Sequence, residues 1–289
     1  MARTGQSVSE SAAPGHAFDY AARDYDRTFT DTRLGRWLRE AVWERLEVGF
    51  GPGDTVLELG CGTGTDAVRL ARRGARVVAA DASTEMLETA WRRAVAAGVD
   101  GCIGFRQLDV NDLEGWDPGL TFDGLLSNFG VLNCAPDWAG VAEAAARWTR
   151  PGGRAVLVLM GPFCPWEIAW HLLHGQVRRA VRRFRGGVEA HVGGGGRARV
   201  WYPSPRRLRS QFAPSFRHVE TVGLGALLPP TYLDHLVDAR PVLFQRLAAV
   251  EGRCRGAFPW TWLNDHYLTV LEREASVDRP PSPDVKDSQ

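Results

Sequence analysis

The run Val56-Leu57-Glu58-Leu59-Gly60-Cys61-Gly62-Thr63-Gly64, continued by Thr65–Ala71, constrains this chain more than any other segment. An apolar run ends in three glycines spaced two apart, and a helical pattern begins at once. Glycine reaches positive φ and lets a ligand approach where a Cβ would clash, while a helix start offers free backbone N–H groups. The segment therefore reads as strand, ligand-cradling turn and helix. A dinucleotide loop has the spacing GxGxxG and carries its acid on the second strand only. Here the spacing is GxGxG, Glu58 stands two residues before the first glycine, and a second acid, Asp81, closes the next apolar run. That combination suits a nucleoside ligand whose ribose hydroxyls need a carboxylate acceptor.

The alternation continues along the chain. Strand-like runs at Thr55–Leu59, Arg76–Ala80, Ile103–Leu108, Phe122–Ser127 and Arg154–Met160 are separated by helical patterns at Thr65–Arg73, Thr84–Ala97 and Trp138–Trp148. Runs this continuously apolar belong to parallel strands covered on both faces. The fold class that follows is α/β: a doubly wound, mostly parallel Rossmann-like sheet with helices on both faces. An amphipathic helix, capped by Asp31 and ended by Gly51-Pro52-Gly53, precedes it. His218–Leu224 and Asp265–Glu272 alternate like an antiparallel final strand pair. Between Gly161 and Pro229 the rhythm breaks into an arginine-rich helical piece, Glu167–Arg185, and a glycine run, Gly193–Gly196. This segment departs from the carboxyl end of a strand, where open α/β sheets bind ligands, and so reads as a cap insertion. The resulting organisation is a disordered tail over 1–14, a ligand-binding core with amino-terminal lid helices over 15–160, a substrate cap over 161–229, a carboxy-terminal helix and final strand over 230–275, and a second disordered tail over 276–289.

Composition excludes more than it selects. With 35 basic against 34 acidic residues the net charge is +1, so no global field draws the chain to DNA or to a membrane. Lys286 is the single lysine, which makes arginine clusters weak witnesses. Five cysteines without a CxxC pair suggest neither zinc nor a disulfide framework, and point to a reducing cytoplasm. No apolar run is long enough for a membrane span, and the first residues lack the apolar region of a signal peptide.

Taken in order, these motifs resemble the class I S-adenosylmethionine-dependent methyltransferases over roughly residues 18–160. The resemblance implies S-adenosyl-L-methionine as cofactor. By position it assigns Glu58, Gly60, Cys61, Gly62 and Gly64 to the loop against the methionine part, and Asp81 with Ala82 to the ribose. Asp109 with Val110 falls to the adenine amine, and Met86 to the adenine face. Asn128 and Phe129 fall beneath the reactive methyl. Phe18-Asp19-Tyr20-Ala21-Ala22-Arg23-Asp24-Tyr25 resembles the lid helix of small-molecule members, in which Tyr25 would close over the cofactor. Packing is the competing reading for Met86 and Tyr25, and Cys61 reads as a small packing residue rather than a nucleophile.

Methyl transfer from a sulfonium needs placement and, for a protonated acceptor, a base. Ser127-Asn128-Phe129-Gly130 lacks the two prolines of the (N/D)PP(Y/F) turn that relatives use on exocyclic nitrogens, which argues against that chemistry. Glu167, His171 and His174 recur at i, i+4 and i+7, and His266 stands beside Asp265. At most one of these four is a general base, and a hydrogen-bonded structural residue is the competing reading for each. The HLLH spacing lacks a third ligand, so a metal is rejected. The run holding Arg178, Arg182 and Arg185 reads either as a solvated surface or as the seat of an anionic group. Trp201, Tyr202, Tyr232, Trp260 and Trp262 favour a hydrophobic or aromatic small molecule. The functional reading is a small-molecule methyltransferase of biosynthetic metabolism; the alternative is an RNA-directed or other macromolecule-directed protein using the Arg178–Arg185 run. Oligomeric state is left open.

Overall fold

The computed structural model describes residues 14–192 and 195–275. The tails expected at both ends, Pro14 excepted, and Gly193 and Gly194 of the glycine run lie outside the described residues. Helix α1 (Pro14–Asp19) and a short π-helical turn at Asp26–Thr30 lead to α2 (Arg33–Gly49). Then follow β1 (Thr55–Leu59), α3 (Thr65–Arg72), β2 (Arg76–Asp81), α4 (Thr84–Ala96), β3 (Ile103–Gln107), β4 (Phe122–Ser127), α5 (Trp138–Trp148) and β5 (Thr149–Met160). Beyond β5 come α6 (Pro165–Leu173), α7 (Val177–Ala180), the hairpin of β6 (Val188–His191) and β7 (Arg197–Val200), and α8 (Pro205–Phe212). The chain closes with β8 (Phe216–Leu224), α9 (Asp234–Ala239), α10 (Pro241–Cys254) and β9 (His266–Arg273).

Seven strands form one sheet in the order β3-β2-β1-β4-β5-β9-β8. The first five run parallel, and β9 is antiparallel to both its neighbours. Successive strand side chains point to opposite faces, so a sheet covered twice needs an apolar residue at nearly every position. That is what the strands show. Val56, Leu126, Val156 and Leu268 enter a core closed by Leu38 and Val42 of α2, Leu70 of α3 and Ala90 of α4. Their neighbours Leu57, Leu125, Leu157 and Tyr267 enter a second core with Val141 of α5 and Phe212 of α8.

Two local expectations change. Thr32, not Asp31, caps α2: Asp31 still has helical dihedrals (−90°, −4°), whereas Thr32 is extended (−70°, 157°) and its hydroxyl accepts the Gly35 N–H at 3.0 Å. The arginine-rich piece is not one helix. It breaks at Gly175, whose φ is +69°, into α6, α7 and a 3₁₀ turn at Arg182–Phe184. The expected final strand pair does form: β8, which holds His218–Leu224, is the sheet's edge strand beside β9.

The strand order reverses between β1 and β4, which opens a crevice beyond their carboxyl ends. Because β9 runs antiparallel, its first residue, His266, pairs with Met160, the last residue of β5. The start of β9 thus reaches the same end of the sheet. Close packing above the crevice depends on Gly64: φ is +77°, and a Cβ there would lie 2.7 Å from the Ala90 Cβ and 2.9 Å from its Cα. Gly64→Ala combines left-handed strain with overpacking against backbone and should cost about 2–4 kcal/mol, read as a lower urea midpoint at unchanged slope.

Candidate active site

The crevice is a cavity of about 640 Å³. Gly60 and Gly62 line it, with φ of +72° and +53°. They are glycines for different reasons. A Cβ on Gly60 would lie 2.1 Å from Val131 Cγ2, whereas nothing lies within 4 Å of a Cβ on Gly62. Gly60 therefore serves packing, and Gly62 leaves space free at the cavity wall. The Gly62 N–H donates to Asp81 Oδ2 at 2.8 Å and the Ser83 N–H to Asp81 Oδ1 at 2.9 Å, which fixes this carboxylate beside Ala82 in the wall. Burial raises the Asp81 carboxyl above its ordinary value against the pull of those N–H groups.

Asp109 and Val110 line the wall beyond β3. One Asp109 oxygen accepts both the backbone and side-chain N–H of Asn111 at 2.9 Å, leaving its partner oxygen unengaged among the described residues. Met86 is buried yet borders the cavity, as do Asn128 and Phe129 after β4 and Tyr25 from the amino-terminal segment. Phe129 has φ of +47°, a costly conformation for an aromatic residue. Glu58, Cys61 and Gly64 do not line the cavity. Gly64 packs on α4; burial holds the Cys61 thiol well above its ordinary range and inert. Glu58 is buried beneath the loop, and burial together with nearby Asp66 pushes its carboxyl well up.

Two features were hidden in the sequence. Asp66, in the first turn of α3, accepts Arg39 Nη1 at 2.6 Å, Trp43 Nε1 at 2.7 Å and Asn128 Nδ2 at 2.8 Å. Arg39 is buried, with its guanidinium 5.4 Å and 5.0 Å from the ring centres of Phe29 and Phe129. The available signal was an arginine inside the apolar stripe of α2. The amino-terminal segment, expected to act as a lid, is also tied down. The Ser83 hydroxyl donates to Asp19 at 2.5 Å and the Thr63 hydroxyl to Asp26 at 2.7 Å, and Arg93 bonds the other Asp26 oxygen.

The four base candidates separate cleanly. Glu167 is buried, and Arg182 and Arg183 occupy both its oxygens at 2.7–3.2 Å. Burial opposes its ionisation, but the two arginines prevail and hold it below the ordinary carboxylate range, so it is a poor base. His174 is exposed and bonds the Trp170 carbonyl of its own helix. His171 is buried against Gln176 at 2.9 Å and does not line the cavity. His266 does line it. Its ring meets Phe129 edge-on at 5.7 Å between centres, and its Nδ1 lies 3.0 Å from Asp265 Oδ2, an ion-pair distance with alignment short of a hydrogen bond.

Asp265 is in turn held by Arg183, whose Nη2 donates to its Oδ1 at 2.6 Å and whose Nη1 donates to the Asp265 and Gly161 carbonyls at 3.0 and 3.1 Å. Burial opposes the Asp265 charge, yet Arg183 and His266 keep its carboxyl well below the usual range. Arg182 borders the cavity with its charge already matched by Glu167, while Arg178 and Arg185 are exposed on the outer surface. An anion shared by all three arginines does not fit this arrangement.

Residues 56–153 match the family model described as a methyltransferase domain. A demethylmenaquinone methyltransferase of Mycobacterium sp. (strain KMS) is 41% identical over 148 residues, covering 48% of this chain and 56% of that protein. One from Beutenbergia cavernae is 38% identical over 154 residues, covering 52% and 60%. The chain thus spans little more than half the length of these curated relatives. A solved putative S-adenosylmethionine dependent methyltransferase from Listeria monocytogenes shares the fold with a TM-score of 0.58 at 16% identity, over 82% of this chain and 98% of that one. A DhpI–SAH complex gives 0.56 at 20% identity over 92% and 99%.

Arg183→Met would leave Glu167 and Asp265 in a buried space without their shared cation. We expect a loss of about 3–5 kcal/mol by urea denaturation. The depressed Asp265 carboxyl contributes stability that is present above the ordinary value near 3.9 and is lost as pH falls through its folded value. That part of the acid-side slope should be missing in the variant.

Proposed function

We propose that the chain is a class I S-adenosylmethionine-dependent methyltransferase that moves the donor's methyl group onto a small, hydrophobic or aromatic acceptor in cytoplasmic biosynthetic metabolism. One observation carries this reading: a single cavity is bordered both by Gly62, Asp81 and Asp109 and by the pair His266–Asp265. The first group suits the donor. Gly62 leaves room where a Cβ would stand, and the two carboxylates offer acceptors to hydroxyl and amine hydrogens. S-adenosylmethionine supplies, when bound, a methyl group on a positively charged sulfur.

On this reading Asp81 accepts the ribose hydroxyls and the unengaged Asp109 oxygen accepts the adenine amine. Tyr25 and Phe129 exclude water from the reacting centre. His266 Nδ1 faces the Asp265 carboxylate, so Nε2 is the ring nitrogen left for an acceptor. That nitrogen would take the proton from an acceptor hydroxyl as its oxygen bonds to the methyl carbon and the carbon–sulfur bond breaks, the sulfur leaving as a neutral thioether. Asp265 positions the ring, as a buried carboxylate does for a neighbouring base. Tyr202 and Tyr232 on the far wall suit a ring-bearing acceptor, in keeping with relatives named for demethylmenaquinone.

Calorimetry should show S-adenosylhomocysteine binding, with Asp81→Ala weakening it by about 1–3 kcal/mol through lost charge-assisted bonds; tighter binding of NAD would overturn the donor assignment. His266→Ala should lower kcat by about 100-fold while S-adenosylhomocysteine affinity stays near that of the parent. A turnover close to the parent's would leave placement alone as the source of rate.

A further inference from the structure

Among the described residues 17 large apolar side chains are exposed, and six of them fall between 163 and 184: Phe163, Leu172, Leu173, Val177, Val181 and Phe184. Single exposed apolar residues need no explanation, but a group this dense marks a contact surface. Leu173 is 85% and Val177 59% exposed. Phe163 and Phe184 hold each other at 5.0 Å between ring centres, which joins the two ends of the segment.

Along this stretch of chain the charge has one sign. From Ile168 to Val188 the chain contains no Asp or Glu. Arg178, Arg179 and Arg185 are exposed there, whereas Arg182 and Arg183 are neutralised by Glu167 and Asp265. Three guanidinium groups without an ion-pair partner among the described residues, close in sequence to exposed leucine, valine and phenylalanine, complement a layer of negative headgroups over an apolar interior. RNA would use the cations but would gain nothing from the aliphatic side chains, since its contacts are phosphate neutralisation and base stacking.

We infer that the α6–α7 face docks on an anionic lipid bilayer, with Leu172, Leu173, Val177 and Phe184 entering among the headgroups and Arg178, Arg179 and Arg185 meeting their phosphates. No helix among the described residues is long and apolar enough to cross a membrane, so the attachment is peripheral. The face borders the cavity. Tyr232, 48% exposed, stacks on His171 of α6 and also lines the cavity wall, as does Arg182. An apolar molecule dissolved in the bilayer would therefore reach the cavity along a surface already pressed against lipid. Docking itself does not depend on the methyl-transfer reading.

Co-sedimentation of the full chain with vesicles of phosphatidylcholine alone, or of phosphatidylcholine mixed with phosphatidylglycerol, tests this directly. Binding to the anionic vesicles should be at least about tenfold tighter and should weaken with salt. Reversing the three arginines (Arg178→Glu, Arg179→Glu, Arg185→Glu) should remove the preference, at about fivefold or more per cation. Leu172→Ser with Leu173→Ser should also lower binding, while the salt dependence stays as in the parent. These side chains are exposed, and a thermal melt matching the parent's establishes that each variant is folded. Absence of binding to anionic vesicles, or variants that bind like the parent, would overturn the inference. So would binding to single-stranded RNA without vesicle binding, or a sedimentation-velocity dimer that Leu173→Asp dissolves.

Discussion

The guanidinium of Arg183 joins three stretches of chain that are far apart in sequence: the exit of β5 at Gly161, the first turn of α6 at Glu167, and the entry to β9 at Asp265. A buried cation requires partners, and each carboxylate it meets would be equally unfavourable alone. Arg182 supplies the second positive charge, so that two acids and two bases balance. Carbonyl oxygens take up the remaining Arg183 donors. This cluster fixes how the segment after β5 sits over the sheet, and with it the far wall of the cavity. Apolar packing alone, being non-directional, would tolerate several positions there.

A second buried cation does comparable work on the near side. Arg39 pairs with Asp66 below the glycine loop and stacks between Phe29 of the amino-terminal segment and Phe129 after β4. The unusual φ of Phe129 persists because Asn128 is held by the same Asp66 and because Phe29 and His266 flank the ring. Amino-terminal segment, loop and strand end are thus coupled through one network. Asp19 and Asp26 anchor that segment to Ser83, Thr63 and Arg93, on or beside the loop and α4 that border the cavity.

The parallel sheet was legible in the sequence because both its faces are covered, which writes apolar residues at successive strand positions such as Val56 and Leu57, or Leu125 and Leu126. The glycine loop and Asp81 were legible because backbone conformation and an acid at a strand end are local features. The rest depended on contacts between distant residues. Nothing near Glu167 shows that Arg182 and Arg183, one broken helix later, fold back to occupy it, so a neutralised acid read like a free base. The β6–β7 hairpin was missed because its strands are four residues each and flank glycines that resemble a plain loop. Glu58 has the spacing of a ligand contact, yet strand alternation turns it beneath the loop.

If His266 is the base proposed above, the placement of β9 bears on which atom of an acceptor is modified. His266 is the first residue of a strand inserted between two others, paired with Met160 on one side and Leu224 on the other. A side chain carried on a lid can follow the molecule it serves, and so tolerate several orientations. One rooted in the middle of a sheet offers a single point in space. Regiochemistry would then be set by how the acceptor turns to meet that point, and variation in the loops above it would change which molecule enters without moving the place where its proton leaves.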